Sequence, residues 1–114
     1  KGFGIVLHGS EDFESGYYVR VEPLRQRLVF DSWPRAGDLP HMGEIERPLH
    51  LAAGQVVKLV VTVQGTLCEI YLNDEVAMSA RMYNHRQGAW GLFAQEAEVE
   101  IVECGVMNAV MNDE

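Results

Sequence analysis

The sequence predicts an all-β fold, specifically an antiparallel β-sandwich. Apolar and polar residues alternate with a period of two in about eight short segments, which is the spacing of strands that bury one face. Turn-forming residues separate these segments, and no segment has the 3.6-residue period of an amphipathic helix. Such a series of short strands favours a sandwich, with a closed barrel as the alternative.

The predicted strands follow one another along the whole chain. In order, they cover residues 3–7, 17–22, 25–33, 55–64, 67–72, 76–83, 89–95 and 97–107. Residues 55–64 are almost continuously β-branched or aliphatic, which is typical of a central strand covered on both sides. The proline-containing loop 34–43 and the short segment 44–51 interrupt the series.

A hairpin over residues 67–83 is the clearest local prediction. Both arms alternate with the strand period, and Asn73 and Asp74 between them tolerate the left-handed backbone that a tight hairpin turn requires. Cys68, Ile70 and Leu72 then share the core face of the first arm. The other face of the hairpin carries polar and aromatic residues: Glu69, Tyr71, Asn73, Arg81 and Tyr83.

Size and charge limit the classes of function. The chain has 114 residues, which we interpret as one domain over residues 1–107 with a tail at 108–114, cut from a longer protein. A formal net charge of -8 without a basic cluster argues against binding nucleic acid. No apolar run has the length of a membrane span, so no membrane partner is predicted, and the compartment stays open between cytoplasm and exterior.

No cofactor or metal is predicted. The four histidines fall in separate segments without metal-binding spacing. Cys68 and Cys104 belong to no Cys-x-x-Cys pair, and we predict that both are small buried residues rather than a disulfide.

Catalysis is not predicted from this chain either. Glycoside hydrolysis needs two carboxylates across a bond, and Glu22, Asp31, Glu69 and Asp74 are candidates. With 17 acidic residues, however, a solvated acidic surface accounts for them better.

Aromatic residues offer a different chemistry, since a sugar ring can stack on a flat side chain. The candidates are Tyr18, Trp33, Tyr71, Tyr83 and Trp90. Of the aromatic residues, Trp90 and Phe93 are expected to pack in the core instead.

Several segments together resemble a known module. These are Ser-Gly-Tyr-Tyr-Val-Arg-Val-Glu-Pro at 15–23, Arg-Leu-Val-Phe-Asp-Ser-Trp-Pro at 27–34, Glu-Arg-Pro-Leu at 46–49, Cys-Glu-Ile-Tyr-Leu-Asn-Asp at 68–74 and Ser-Ala-Arg-Met-Tyr at 79–83. In this order they resemble the C-terminal β-sandwich module of glycoside hydrolase family 32, the β-fructosidases, which include invertases, inulinases and levanases. The similarity extends over about residues 3–106.

The resemblance implies a sandwich of the concanavalin A-like lectin/glucanase type. It also implies that the catalytic residues lie in an N-terminal five-bladed β-propeller of the same polypeptide. The propeller motifs Asn-Asp-Pro-Asn, Glu-Cys and Arg-Asp-Pro are absent here. The implied function is that of a non-catalytic accessory domain of an enzyme acting on fructosyl sugars such as sucrose and fructans. Its implied partners are the propeller and an oligosaccharide. A second copy of the chain, in a homodimer, is a further implied partner.

A free-standing carbohydrate-binding module is the alternative function, and a small hydrolase in its own right ranks last. For either leading hypothesis we expect one carbohydrate-contact or domain-contact face. Its predicted residues are Arg20, Glu22, Glu69, Tyr71, Asn73, Arg81 and Tyr83.

Overall fold

The structure, a computed structural model, describes residues 2–12, 15–33, 45–83 and 88–106. These residues form strands and connecting segments, with no helix among them. The strands are β1 (Gly2–Gly9), β2 (Gly16–Glu22), β3 (Arg27–Trp33), β4 (Ile45–Pro48), β5 (Leu59–Gln64), β6 (Leu67–Leu72), β7 (Val76–Arg81) and β8 (Ala89–Gln95). The predicted loop 34–43 and tail 108–114 lie outside the described residues.

The strands form two antiparallel sheets. The five-stranded sheet has the order β4-β3-β2-β1-β8, and the three-stranded sheet has the order β5-β6-β7. The described strands of the two sheets share no hydrogen-bonded pair, so the arrangement is a sandwich rather than a closed barrel. The predicted all-β sandwich is therefore confirmed.

The core lies between the facing sides of the two sheets. The alternation in β2 and β3 places Val19, Val21 and Leu28 inward, and none of the three is exposed to solvent. The three-stranded sheet faces them with Cys68, Ile70, Leu72, Met78 and Ala80, all buried. Because one side of each sheet is buried against the other sheet, every second residue of a strand points away from the core.

The hairpin turn has the predicted backbone. Asn73 and Asp74 have φ angles of 54° and 57°, in the left-handed region. Two hydrogen bonds tie the turn to the residue that precedes β5. The backbone nitrogen of Asn73 donates to the carbonyl oxygen of Lys58 over 2.8 Å. The Oδ1 atom of Asn73 accepts from the backbone nitrogen of Lys58 over 2.8 Å.

The strand β5 differs from its prediction. It begins at Leu59 rather than at residue 55, and it is an end strand of its sheet rather than a central one. Val60 is 38% exposed and Val63 is 43% exposed. β-Branched composition correctly indicated a strand, but burial depends on the neighbours that tertiary packing supplies.

The predicted last strand is also wrong over its described part. Residues 97–106 form no strand, and each of them is exposed, including Cys104, which was predicted to be buried. Leu92 in β8 pairs with Ile5 and lies on the core side, yet it is 46% exposed, as is Trp90. The core prediction for Trp90 is therefore wrong, because the three-stranded sheet does not extend far enough to cover β8.

We predict that two substitutions at Asn73 will separate backbone strain from the side-chain hydrogen bond. Asn73→Gly removes the bond to Lys58 but accepts the left-handed backbone, and should lower the free energy of unfolding by about 1 kcal/mol. Asn73→Ala removes the bond and adds strain, for a loss of about 2 kcal/mol. Urea unfolding measures both, and equal losses would contradict a strained turn.

Candidate functional site

The structure distributes the predicted site residues over two surfaces. Arg20 and Glu22 project from β2 on the outer side of the five-stranded sheet. Glu69, Tyr71 and Arg81 project from β6 and β7 on the outer side of the three-stranded sheet, with Tyr83 just beyond. The core separates the two sheets, so these outer sides face in opposite directions. The predicted residues therefore form two groups and not a single face.

The first group belongs to an ion-paired cluster that we call the arginine network. It consists of Arg20, Glu22, Arg27, Asp31 and Glu46, which lie on β2, β3 and β4. Arg20 Nε donates to Glu22 Oε2 over 2.7 Å, and Arg27 Nε donates to Glu22 Oε1 over 2.8 Å. Arg27 also bonds Glu46, and Arg20 Nη1 lies 3.9 Å from Asp31 Oδ2. One carboxylate thus holds two guanidinium groups in place.

Four of the five side chains in the arginine network are largely buried. The side chains of Glu22 and Asp31 are 8% and 9% exposed, and those of Arg20 and Arg27 are 16% and 18% exposed. Burial by itself would raise the pKa of Glu22, but the hydrogen bonds from Arg27 and Arg20 outweigh it and lower that pKa. The hydrogen bond to Glu22 in turn raises the pKa of Arg27. The charged side chains of the network form ion pairs with one another, and these ion pairs link three strands.

Sequence reasoning missed Arg27 and Glu46 as members of this cluster. The two-residue period placed Arg27 on the same face as Asp31, and the register pairs Arg27 with Glu22 across β2 and β3. That pairing depends on the length of the β2–β3 turn, and the contact of Arg27 with Glu46 joins residues that are 19 positions apart in the sequence. Gly2 leaves room for the network, because a Cβ atom at that position would lie 2.7 Å from Cγ of Arg20.

Aromatic residues adjoin the arginine network on the same outer side. The rings of Tyr18 and Phe93 meet edge to face, with their centroids 5.8 Å apart. Phe93 is therefore half-buried outside the core, which corrects the prediction that it packs inside. Trp33 lies at the end of β3 and is 50% exposed.

The second group lies on a more open surface that we call the tyrosine face. It comprises the outward residues of the three-stranded sheet and the residue that follows Met82: Val60, Thr62, Gln64, Leu67, Glu69, Tyr71, Ala77, Ser79, Arg81 and Tyr83. Tyr71 is 37% exposed and Tyr83 is 60% exposed. The hydroxyl of Tyr71 donates to Glu69 Oε2 over 2.5 Å, and this bond raises the pKa of Tyr71.

The two tyrosines stand at opposite ends of the tyrosine face. Tyr71 pairs with Ala77, and β7 continues for four residues to Arg81, roughly 13 Å at the rise of a strand. Tyr83 follows two residues after the end of β7. Between them lie Glu69 and Arg81, whose Nη1 atom donates to Thr66 Oγ1 over 3.2 Å. Asn73 belongs to the adjoining turn, where Lys58 occupies its side-chain oxygen. The arrangement presents an aromatic ring at each end and hydrogen-bonding groups between them.

Two further features, a metal-ligand cluster and a membrane-spanning helix, are absent from the described part of the chain. Residues 2–12, 15–33, 45–83 and 88–106 contain no cluster of three potential metal ligands. No helix that could cross a membrane occurs among them.

Comparison with known proteins identifies a solved structure with the same fold. No protein-family model matches the chain. The carbohydrate-binding module CBM66 from Bacillus subtilis superimposes with a TM-score of 0.67 at 17% sequence identity. This chain has the fold of that module. The match covers 80% of this chain but 55% of the module, so the chain spans about half the length of its structural neighbour.

We predict that Glu22→Gln will destabilise the protein, because it leaves the half-buried guanidinium groups of Arg20 and Arg27 without their shared carboxylate. The expected loss is about 2 kcal/mol in the free energy of unfolding. Glu75→Gln, at an exposed position in the hairpin turn, is the matched control and should change it by less than about 0.5 kcal/mol. Equal effects in urea unfolding would contradict the structural role of the network.

The contribution of Glu22 should also depend on pH. Because folding lowers the pKa of Glu22, its contribution is complete above the ordinary glutamate pKa, about 4.3, and is lost as the pH falls through the folded-state pKa. Urea unfolding at several values between about pH 7 and pH 2 measures this difference. The gap between the natural chain and Glu22→Gln should narrow in acid, and a gap that widens would contradict the direction of the shift.

Proposed function

We propose that this chain is a carbohydrate-binding module whose tyrosine face binds an oligosaccharide. The observation that carries the proposal is the pair of exposed rings, Tyr71 and Tyr83, with hydrogen-bonding groups between them. The fold shared with a protein named as a carbohydrate-binding module supports it.

The chemistry of the tyrosine face matches that of a sugar. A sugar ring has an apolar C–H side that packs on an aromatic ring, and hydroxyl groups that pair with carboxylate and guanidinium groups. The hydrogen bond to Glu69 holds the ring of Tyr71 in one orientation before binding, so less conformational freedom is lost when a sugar stacks on it. The position of Tyr71 opposite Ala77 and of Tyr83 beyond the other end of β7 favours an oligosaccharide over a single sugar, since the strand from Ala77 to Arg81 alone spans roughly 13 Å.

The arginine network is the less favourable surface for a sugar. The carboxylate of Glu22 already accepts hydrogen bonds from Arg20 and Arg27, and the side chains of these three residues are largely buried. A sugar would have to separate these ion pairs and leave charges without partners, which is costly at a buried site. We therefore propose that Arg20 and Glu22 stabilise the five-stranded sheet. The sugar then binds on the opposite side of the sandwich, at the tyrosine face.

The finer proposal is that this module, residues 1–107, is the accessory domain of a family 32-type glycoside hydrolase. The ordered resemblance of residues 15–34, 46–49 and 68–83 to that family supports it. The module would then pack against an N-terminal catalytic β-propeller of the same polypeptide and act with it on fructosyl sugars such as sucrose and fructans. A free-standing module is the alternative, and an encoded propeller directly upstream would decide against it.

Calorimetric titration of the 114-residue chain with inulin-type and levan-type fructo-oligosaccharides tests the proposal. We expect heats of binding, and a roughly tenfold weaker affinity for Tyr71→Ala and for Tyr83→Ala, which corresponds to about 1.4 kcal/mol each. Leu24→Ala is the matched control, because Leu24 is 93% exposed on the β2–β3 turn, away from the tyrosine face.

The possible outcomes test carbohydrate binding, the fructosyl assignment and the position of the site separately. Absence of heat with every glycan in a broad panel would reject carbohydrate binding. Binding to other glycans but not to fructans would reject only the fructosyl assignment. Binding that survives both tyrosine variants but fails in Trp33→Ala would move the site to the outer side of the five-stranded sheet.

A further inference from the structure

Three polar side chains form a row across the tyrosine face, next to Tyr71. The register places Glu69 of β6 directly opposite Thr62 of β5 on one side and Ser79 of β7 on the other. Side chains that are directly opposite on one face of a sheet have Cβ atoms about 5 Å apart. Thr62 and Ser79 are exposed, and Glu69 is half-buried between them. We call these three residues the polar row.

The neighbouring row of the same face is apolar. Tyr71 lies there between Val60 and Ala77, two positions along the strands from the polar row. Because the hydroxyl oxygen of Tyr71 lies 2.5 Å from Glu69 Oε2, the ring leans along β6 toward the polar row. A molecule that packs on this ring therefore meets the carboxylate of Glu69 at its edge.

The carboxylate of Glu69 keeps most of its capacity to accept hydrogen bonds. Among the residues that the structure describes, this carboxylate accepts from the Tyr71 hydroxyl and forms no ion pair. An ionised carboxylate offers about four lone-pair sites, so both sites of Oε1 and one site of Oε2 remain. Glu22 is the contrast, because its two oxygens accept from Arg20 and Arg27. The acceptor sites of Glu69 are therefore available to a ligand.

We propose that Glu69 is the specificity-determining residue of the tyrosine face and selects a sugar unit with free hydroxyl groups on two neighbouring carbons. This inference rests on the proposed function. One hydroxyl donates to Oε1 and the other to Oε2, while the ring of Tyr71 packs on the C–H side of the same unit. The hydroxyls of Thr62 and Ser79 both donate and accept, so they pair with the other polar atoms of the unit.

Charge and hydrogen bonding limit the class of ligand further. The formal net charge of -8 and the carboxylate of Glu69 repel an anionic sugar, such as a uronic acid. Arg81, the cation of the tyrosine face, donates to Thr66 and forms no ion pair with Glu69. A sugar whose hydroxyl pair is blocked offers no donors, so the carboxylate would lose water without compensation. The selected ligand is a neutral glycan whose units keep a free vicinal diol.

Calorimetric titration of the 114-residue chain with an inulin-type tetrasaccharide and with its 3-O-methyl analogue tests this selection. Each inner fructosyl unit has neighbouring hydroxyls on C3 and C4, and methylation of O3 removes one donor but keeps the C–H side of the ring. The natural chain should bind the analogue about tenfold more weakly. Glu69→Gln should bind the unmodified tetrasaccharide about tenfold more weakly than the natural chain and should no longer distinguish the two ligands.

A pair of glucans makes the same comparison if the bound glycan is a glucan and not a fructan. Inner units of β-1,4-linked oligosaccharides have neighbouring free hydroxyls, whereas inner units of β-1,3-linked ones have none. The natural chain should prefer the β-1,4-linked ligand, and Glu69→Gln should lose that preference.

Two further variants separate direct contact from positioning of the ring. Tyr71→Phe removes the hydroxyl that bonds Glu69 but keeps the ring, so it should weaken binding at most about threefold and should still distinguish the two ligands. Glu11→Gln is the matched control, because it removes the same charge from an exposed position between β1 and β2, and it should bind as the natural chain does. Equal losses in Tyr71→Phe and Glu69→Gln would mean that Glu69 only orients the ring, which overturns the inference.

Failure of this inference differs from failure of the proposed function. Binding that is weakened by Tyr71→Ala but is the same for free and blocked diols overturns the diol selection and leaves carbohydrate binding intact. Unchanged affinity in Glu69→Gln has the same consequence, and so does tighter binding of a uronic acid oligosaccharide. Absence of heat with every glycan overturns both.

Discussion

Burial of one side of each sheet against the other is the constraint on which the rest of this structure depends. Val19, Val21 and Leu28 face Ile70 and Leu72 across the core. Because successive side chains of a strand point to opposite faces, these contacts also determine the orientation of the residues between them. Every intervening side chain must point away from the core. The same hydrophobic packing therefore determines which residues form the two outer surfaces.

The two outer surfaces use their polar groups differently. In the arginine network each charge is matched by another within the protein, so the energy of pairing goes into joining β2, β3 and β4. On the tyrosine face the rings of Tyr71 and Tyr83 stay accessible, and the internal hydrogen bond to Glu69 orients one ring without covering it. A buried, paired network suits stability, whereas an exposed and oriented group suits binding.

The sequence by itself determined the fold class, the hairpin turn at Asn73 and Asp74, and the side of each strand that carries Arg20, Glu22, Glu69 and Tyr71. These depend on local periodicity and on backbone preferences, which a short stretch of chain already contains. Only the tertiary structure decided that these residues lie on two opposite surfaces, that Arg27 completes an ion-paired cluster, that β5 is an end strand, and that Trp90 and residues 97–106 are exposed. Strand order and coverage are properties of the packed sheets, and composition does not reveal which neighbour a strand will have.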